Sequence, residues 1–273
     1  MAELLKTLLE PLEEINAYKT VAEDIEREKF PVHISGCIDT QKCHLIYGLS
    51  HSEHWRVIIA SNEIKAREIY DDYKLFDRDV LFYPAKDIIF FGADIQGSAI
   101  STERLKVVDA MLKNNSGTIV TTIDAGLDCI MDSQASKSSR FIIEETDIVN
   151  MDILEKKLVD MGYERQTQVE KPGDFSVRGG ITDIFPITMD CPVRIEFFDN
   201  EVDTIRAFDV QSQRSIERMD KVEVTPASEM TLSDEQLKAA LKKIEKEYQK
   251  MLEKFRKEKN HDIVILDESW EFR

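Results

Sequence analysis

The sequence predicts an α/β protein, a parallel-sheet domain with an inserted α+β domain. Three observations carry this prediction. The first half alternates short apolar runs with amphipathic stretches, the pattern of buried parallel strands separated by helices. Residues 174–215 read instead as consecutive short strands joined by turns. Near the end, HDIVILDES is again an apolar strand of the buried parallel type, expected to return to the first sheet. The expected division is an α/β lobe over 1–138, an inserted α+β domain over 139–226, and a helix and strand over 227–273 that rejoin the first lobe.

Leu4, Leu5, Leu8, Leu9, Leu12 and Ile15 recur at helical spacing and predict an opening helix. Residues 32–35 and 57–60 read as strands, and Ser61 stands where a cap would start the helix carrying Ile64, Ile69 and Tyr73. A strand over 80–83, a helix near 102–112 and a strand over 118–122 follow. The small, polar segment SQASKSS marks the domain boundary. Beyond it the pattern predicts a strand over 141–144 and a helix capped by Asn150 that runs through Met161. One strand is expected over roughly 175–185, with Pro186 and Pro192 in the turn after it. A second covers 193–198, and Asp199-Asn200 supplies a tight hairpin turn into 202–208. In that second strand the period of two puts Val193, Ile195 and Phe197 on a core face and Arg194, Glu196 and Phe198 on a wet one. Ser233 and Gln236 make a capping-box pair for a long helix dense in Glu and Lys.

The 273 residues suit one large or two medium domains, and 42% hydrophobic with 33% charged residues is a globular composition. No apolar run approaches the ~18–20 residues of a membrane helix, and MAELLKTLLEPLEE has no basic leader, so a cytoplasmic location is expected. Cys37, Cys43, Cys129 and Cys191 show no pairing pattern, which fits a reducing compartment. The net charge of −17 argues against strong autonomous DNA binding, which rests on phosphate neutralisation by Lys and Arg. Protein partners are expected instead.

A long, spaced motif occupies the strand-rich stretch: Phe175, Arg178-Gly179-Gly180, Asp183 and Phe185-Pro186, then Pro192, Arg194, Glu196, Phe198-Asp199, Glu201, Arg206, Phe208-Asp209 and Gln213-Arg214-Ser215. The string resembles the UvrB-like module at the N-terminus of bacterial transcription-repair coupling factors, the Mfd family. A weaker match runs upstream through FYPAKDIIFFGADI and STERLKVVDAML, so the resemblance covers most of residues 82–228; residues 1–60 match mainly in layout. The resemblance implies a degenerate RecA-like or helicase-like lobe, as in UvrB, with an inserted domain. It implies a non-catalytic module that recruits UvrA in nucleotide excision repair, with Arg178, Arg194 and Phe198 on the UvrA-binding surface. It further implies that RNA polymerase, DNA and the ATP-driven translocase belong to other domains of a longer parent, whose C-terminal domain covers this surface.

Nothing else in the sequence makes a persuasive chemical site. Gly36-Cys37-Ile38-Asp39-Thr40-Gln41-Lys42-Cys43 can be laid on the phosphate-loop pattern G-x-x-x-x-G-K-[ST]. The lysine is present, but Gln41 replaces the second glycine, and Cys43 offers soft sulfur where magnesium needs a hard oxygen. Gly36, Gln41, Lys42 and Cys43 are therefore read as a degenerate loop, and no cofactor is expected. Asp267-Glu268 looks like a Walker B pair, yet has no nucleotide–magnesium complex to hold. Cys37, Cys43, His44, His51 and His54 match no common zinc spacing, so no metal is expected. The alternative reading is an active UvrB-type DNA-dependent ATPase. The failed phosphate loop opposes it, as does the lack of a long tyrosine-rich hairpin between Tyr83 and Thr102.

Overall fold

The structure is a computed structural model that describes residues 2–50, 54–86, 94–114, 116–128, 140–229 and 234–257. The chain divides into two compact units, residues 1–229 and 230–273. In the first, α1 (Ala2–Glu13), α2 (Asn16–Glu26) and α3 (Asp39–Leu49) lead into a parallel sheet. Its strands are β1 (Trp55–Ala60), β2 (Leu81–Tyr83) and β3 (Gly117–Thr122), in the order β1-β3-β2, with α4 (Glu63–Tyr73) and α5 (Asp94–Lys113) as crossovers. Ile58, Ala60, Phe82 and Val120 form its core with Cys43, Ala66 and Tyr73 from the helices. A short helix, α6 (Ile123–Leu127), follows β3. The α/β expectation holds.

Several local expectations need correction. Residues 32–35 form no strand: Ile34 is 45% exposed, and no described strand pairs with the segment to satisfy its amides. Asn62, not Ser61, caps α4, its side chain accepting from Lys65 N at 2.9 Å. The helix expected near 102–112 begins earlier, at Asp94. SQASKSS, Ser233 and the HDIVILDES strand lie outside the described residues.

Residues 140–229 carry a second core. A two-stranded antiparallel sheet joins β4 (Phe141–Glu144) to β11 (Lys221–Val224). Between them come α7 (Met151–Asp160), capped by the Asn150 side chain as expected, and β5 (Glu164–Arg165). Then follow β6 (Asp174–Arg178), β7 (Ile181–Ile184), β8 (Val193–Phe198), β9 (Glu201–Phe208) and β10 (Ser215–Met219). The six strands form one sheet in the order β10-β9-β8-β7-β6-β5, antiparallel except for the β5–β6 pair. The single strand expected over 175–185 is thus a hairpin. Gly179 at φ 60 and Gly180 turn the chain, and a Cβ on Gly180 would stand 3.0 Å from Phe197 O. The β8–β9 turn falls at Asp199-Asn200 as expected, with Asp199 alone of the two at positive φ, 58.

One face of this sheet is apolar. Phe175, Ile184, Val193, Ile195, Val202 and Ile205 pack with Leu154 and Leu158 of α7. Burying such side chains contributes roughly 1.5–3 kcal/mol each to the stability of this layer. The opposite face presents the polar motif residues.

In the second unit, α8 (Asp234–Lys257) is a single amphipathic helix. No described helix is long and apolar enough to cross a membrane.

Candidate functional site

The polar face of the six-stranded sheet is organised by one carboxylate. Asp183 on β7 is 1% exposed and lies directly across from Arg194 on β8. Arg194 Nε donates to Asp183 Oδ1 at 2.7 Å and Nη2 to Oδ2 at 2.8 Å, a bidentate fork. Arg178, at the end of β6, donates Nη2 to the same Oδ2 at 2.5 Å. Two of the three expected partner-binding residues, Arg178 and Arg194, are therefore brought together across an intervening strand. They share one negative charge, so the trio carries a net positive charge. The described ion-pair partner of both arginines is Asp183, not the carboxylates of Glu196, Asp199 or Glu201 that lie nearer in sequence to Arg194.

Arg194 is fixed on its remaining sides. Its Nη2 also donates to Gln213 Oε1 at 3.0 Å, and its guanidinium carbon lies 4.5 Å from the Phe208 ring centroid. Its hydrogen bonds to the Asp183 carboxylate hold its pKa above the ordinary arginine value. Gln213 is itself held at φ 57, with Nε2 donating to Val210 O at 2.8 Å. Asp183 and Gln213 were legible as motif positions, but spacing alone assigned them no role.

The arginines continue across the sheet. Arg206 on β9 is directly opposite Arg194, and Arg218 on β10 is opposite Arg206. Like charges facing across strands repel unless each has a counterion. Here Arg206 Nη2 lies 3.8 Å from Glu196, and Arg218 forks onto Glu145 at 3.0 and 3.1 Å. Four guanidiniums thus share three carboxylates.

Phe198, the third expected residue, ends β8 and is 80% exposed. It lies four residues from Arg194, on the same face and about 13 Å along the strand at ~3.3 Å per residue. A bulge at the β8–β9 pairing, where the register shifts between Glu196 and Phe197, leaves the alternation of β8 itself intact. Phe197 packs against the core while Phe198 faces out.

The degenerate phosphate loop is a separate feature. Gly36 adopts φ +83, and α3 begins at Asp39, so Lys42 and Cys43 sit within the helix. Lys42 Nζ donates to Asp39 Oδ1 at 2.8 Å. Hydrogen bonds from Lys42 and Lys65 hold the Asp39 carboxyl below the usual range. Cys43 is 1% exposed and packs into the parallel-sheet core, where burial pushes its thiol pKa up and disfavours the thiolate that a metal requires. His44 stacks on Phe76 at 5.4 Å. A cavity of about 450 Å³ between the loop and α3 is lined by Ile34, Leu45, Ile46 and Leu49 on one hand and by Ser35, Gly36, Cys37 and Lys42 on the other. The four aliphatic side chains make half of that lining, and the Lys42 amine in it is already paired with Asp39. His51 and Asp267-Glu268 lie outside the described residues.

Comparison with known proteins places these features in a family context. Residues 141–230 match the family described as the UvrB interaction domain. The chain is similar to the transcription-repair-coupling factor of Bacillus subtilis strain 168, 34% identical over 209 residues, covering 76% of this chain and 18% of that protein. It is also similar to the transcription-repair-coupling factor of Staphylococcus epidermidis strain RP62A, 29% identical over 262 residues, 95% of this chain and 22% of the relative. The Staphylococcus aureus strain RF122 protein of the same name is 29% identical over 223 residues, 81% of this chain and 19% of the relative. The chain spans about a fifth of the length of these relatives.

Proposed function

From a chain that is homologous to one segment of the transcription-repair-coupling factors and carries a UvrB interaction domain, we propose a non-catalytic module that recruits UvrA to lesion-stalled transcription complexes. One observation supports this most directly. The matched domain presents a preorganised pair of guanidiniums on a buried carboxylate, with an exposed aromatic on the same face. Such a surface suits a partner offering carboxylates for Arg178 and Arg194 and an apolar recess for Phe198. The lobe over 1–138 is read as a degenerate RecA-like domain, 139–226 as the inserted UvrA-binding domain, and 227–273 as the return to the first lobe. RNA polymerase and DNA contacts, the ATP-driven translocase, and a C-terminal domain that covers the UvrA surface belong in this reading to the rest of a longer cytoplasmic parent. Capture of purified UvrA by this chain tests the proposal; a chain that ignores UvrA at micromolar concentration, as a scaffold unrelated to repair would, sinks it.

Nucleotide binding separates this reading from an active UvrB-type ATPase. Titration with a fluorescent ATP analogue is expected to give no saturable binding, because Lys42 is paired with Asp39 and Cys43 is turned into the core. Saturable micromolar binding that Lys42→Ala abolishes would reverse the assignment. Duplex DNA binding is expected to be weak and steeply salt-dependent, given the charge of −17. Nanomolar affinity at physiological salt would revive the ATPase alternative.

A further inference from the structure

The two most exposed large apolar side chains among the described residues are Ile148, at 85%, and Phe198, at 80%. They flank the same residue. Phe198 is opposite Glu201 across the β8–β9 hairpin, and Ile148 is opposite Glu201 from the other side, through an antiparallel bridge. Directly opposed residues share a face, and neighbouring strands lie ~4.8 Å apart, which places Ile148 and Phe198 about 10 Å from each other on one row. Singly scattered apolar residues are ordinary on a protein surface. Two in one row, at the edge of a field of arginines, form a patch.

The segment bearing Ile148 is held firmly. Val149 N donates to Asn200 O at 2.7 Å, Val202 N to Asp147 O at 2.9 Å, and Thr146 N to Val202 O at 2.8 Å. The Arg218 fork onto Glu145 ties the same segment to β10. Thr146 adopts φ 72, a costly conformation for a β-branched residue, and it carries the chain round onto the β9 edge. Ile148 is thus exposed to solvent on an anchored backbone, so a partner that covers it orders little new chain.

We propose that Ile148 is a second apolar anchor for the partner that Phe198 engages. The partner's contact surface then has two parts: an apolar stretch long enough to cover Phe198 and Ile148 across Glu201, and an acidic patch about 13 Å further along β8 that meets Arg178 and Arg194. The acidic patch follows from charge complementarity, since among the described residues those two arginines form their ion pairs with a single carboxylate, Asp183. This inference rests on the proposed UvrA reading and adds to it a residue outside the Arg178, Arg194 and Phe198 set.

The test is UvrA titration of the full chain and of its Ile148→Ala, Ile148→Asp, Phe198→Ala and Arg178→Ala variants, with melting curves for each. Ile148→Ala is expected to weaken binding roughly fivefold to tenfold and Ile148→Asp more strongly, at unchanged melting temperature. Should Ile148→Asp lower the melting temperature, Ile148→Ala alone decides. Wild-type affinity in Ile148→Ala and in a stably folded Ile148→Asp, alongside weakened Phe198→Ala, removes the second anchor and leaves the UvrA reading standing. If Phe198→Ala and Arg178→Ala also bind like the parent chain, the surface assignment itself falls, and this inference with it.

Discussion

Phe198→Ala is expected to weaken UvrA binding by about thirtyfold or more, equivalent to ~2 kcal/mol, without changing the melting temperature. The two parts of this result have separate causes. Phe198 is 80% exposed, so truncating it removes almost nothing from the folded chain. In a complex it would be the largest apolar group on the arginine face, and aromatic and arginine anchors carry most interface energy. Arg178→Ala should behave similarly, because its side chain is 49% exposed and Asp183 keeps the Arg194 fork when Arg178 is lost. Arg194→Ala is a poorer probe. It strips two hydrogen bonds from a carboxylate that is 1% exposed, so a stability loss would accompany any binding loss. Measured together by calorimetric titration and thermal melting, the three variants separate contact from scaffold. Undiminished UvrA affinity in both Phe198→Ala and Arg178→Ala would show that the partner uses another face.

The largest stability effect is expected at Arg104, which has no part in that arginine cluster. Arg104 is fully buried on α5. Its Nε donates to Glu229 Oε1 at 2.8 Å, and Nη1 donates to Pro84 O at 2.8 Å and Asp128 Oδ2 at 3.2 Å. Its guanidinium carbon lies 4.1 Å from the Tyr83 ring centroid. One side chain thereby joins the end of β2, the end of α6 and the chain just beyond β11. Arg104→Met keeps the aliphatic volume but leaves the Pro84 carbonyl and two carboxylates short of a partner. Removing one member of a buried ion cluster costs ~3–5 kcal/mol. Lys86 Nζ, 2.8 Å from Glu229 Oε2, offsets part of this, so the lower end is expected. A loss of ~3 kcal/mol corresponds to a melting temperature lower by roughly 6–12 °C for a domain of this size. Arg104→Lys should recover little, since an ammonium cannot reach three acceptors in a planar fork. A melting curve for Arg104→Met that overlays the parent's would refute the hub.

Much of the fold was legible because its signals are local. Val193, Ile195 and Phe197 announced a core face through a period of two, and Asn150 announced its helix through cap chemistry. The errors were local conflicts that tertiary contacts resolve. An apolar stretch at 32–35 has strand composition, but strand formation requires a neighbour, and no described strand supplies one. The Gly179-Gly180 pair was absorbed into one long strand, although two glycines between alternating segments are a hairpin signal in their own right. Arg178 and Phe198 could be named because a long spaced motif carried them. Ile148 could not, because nothing in the sequence says that the turn after β4 runs back along β9.

The sequence by itself determined the α/β class, the core-facing set of β8, the unfavourable chemistry of Gln41 and Cys43, and the residues of the arginine motif. Each follows from properties that a residue carries wherever it is placed: hydrophobicity, backbone preference, ligand hardness and charge. Only the tertiary structure decided what the arginines do to one another. Asp183, Arg194, Arg206 and Arg218 lie 11, 12 and 12 residues apart in the chain, yet stand side by side because four antiparallel strands bring them into register. That register is set by the apolar residues on the other face, since slipping one strand by a single residue would turn its core side chains to water. The buried half of the sheet thus dictates where the charges of the exposed half meet, and no pattern along the chain records that outcome.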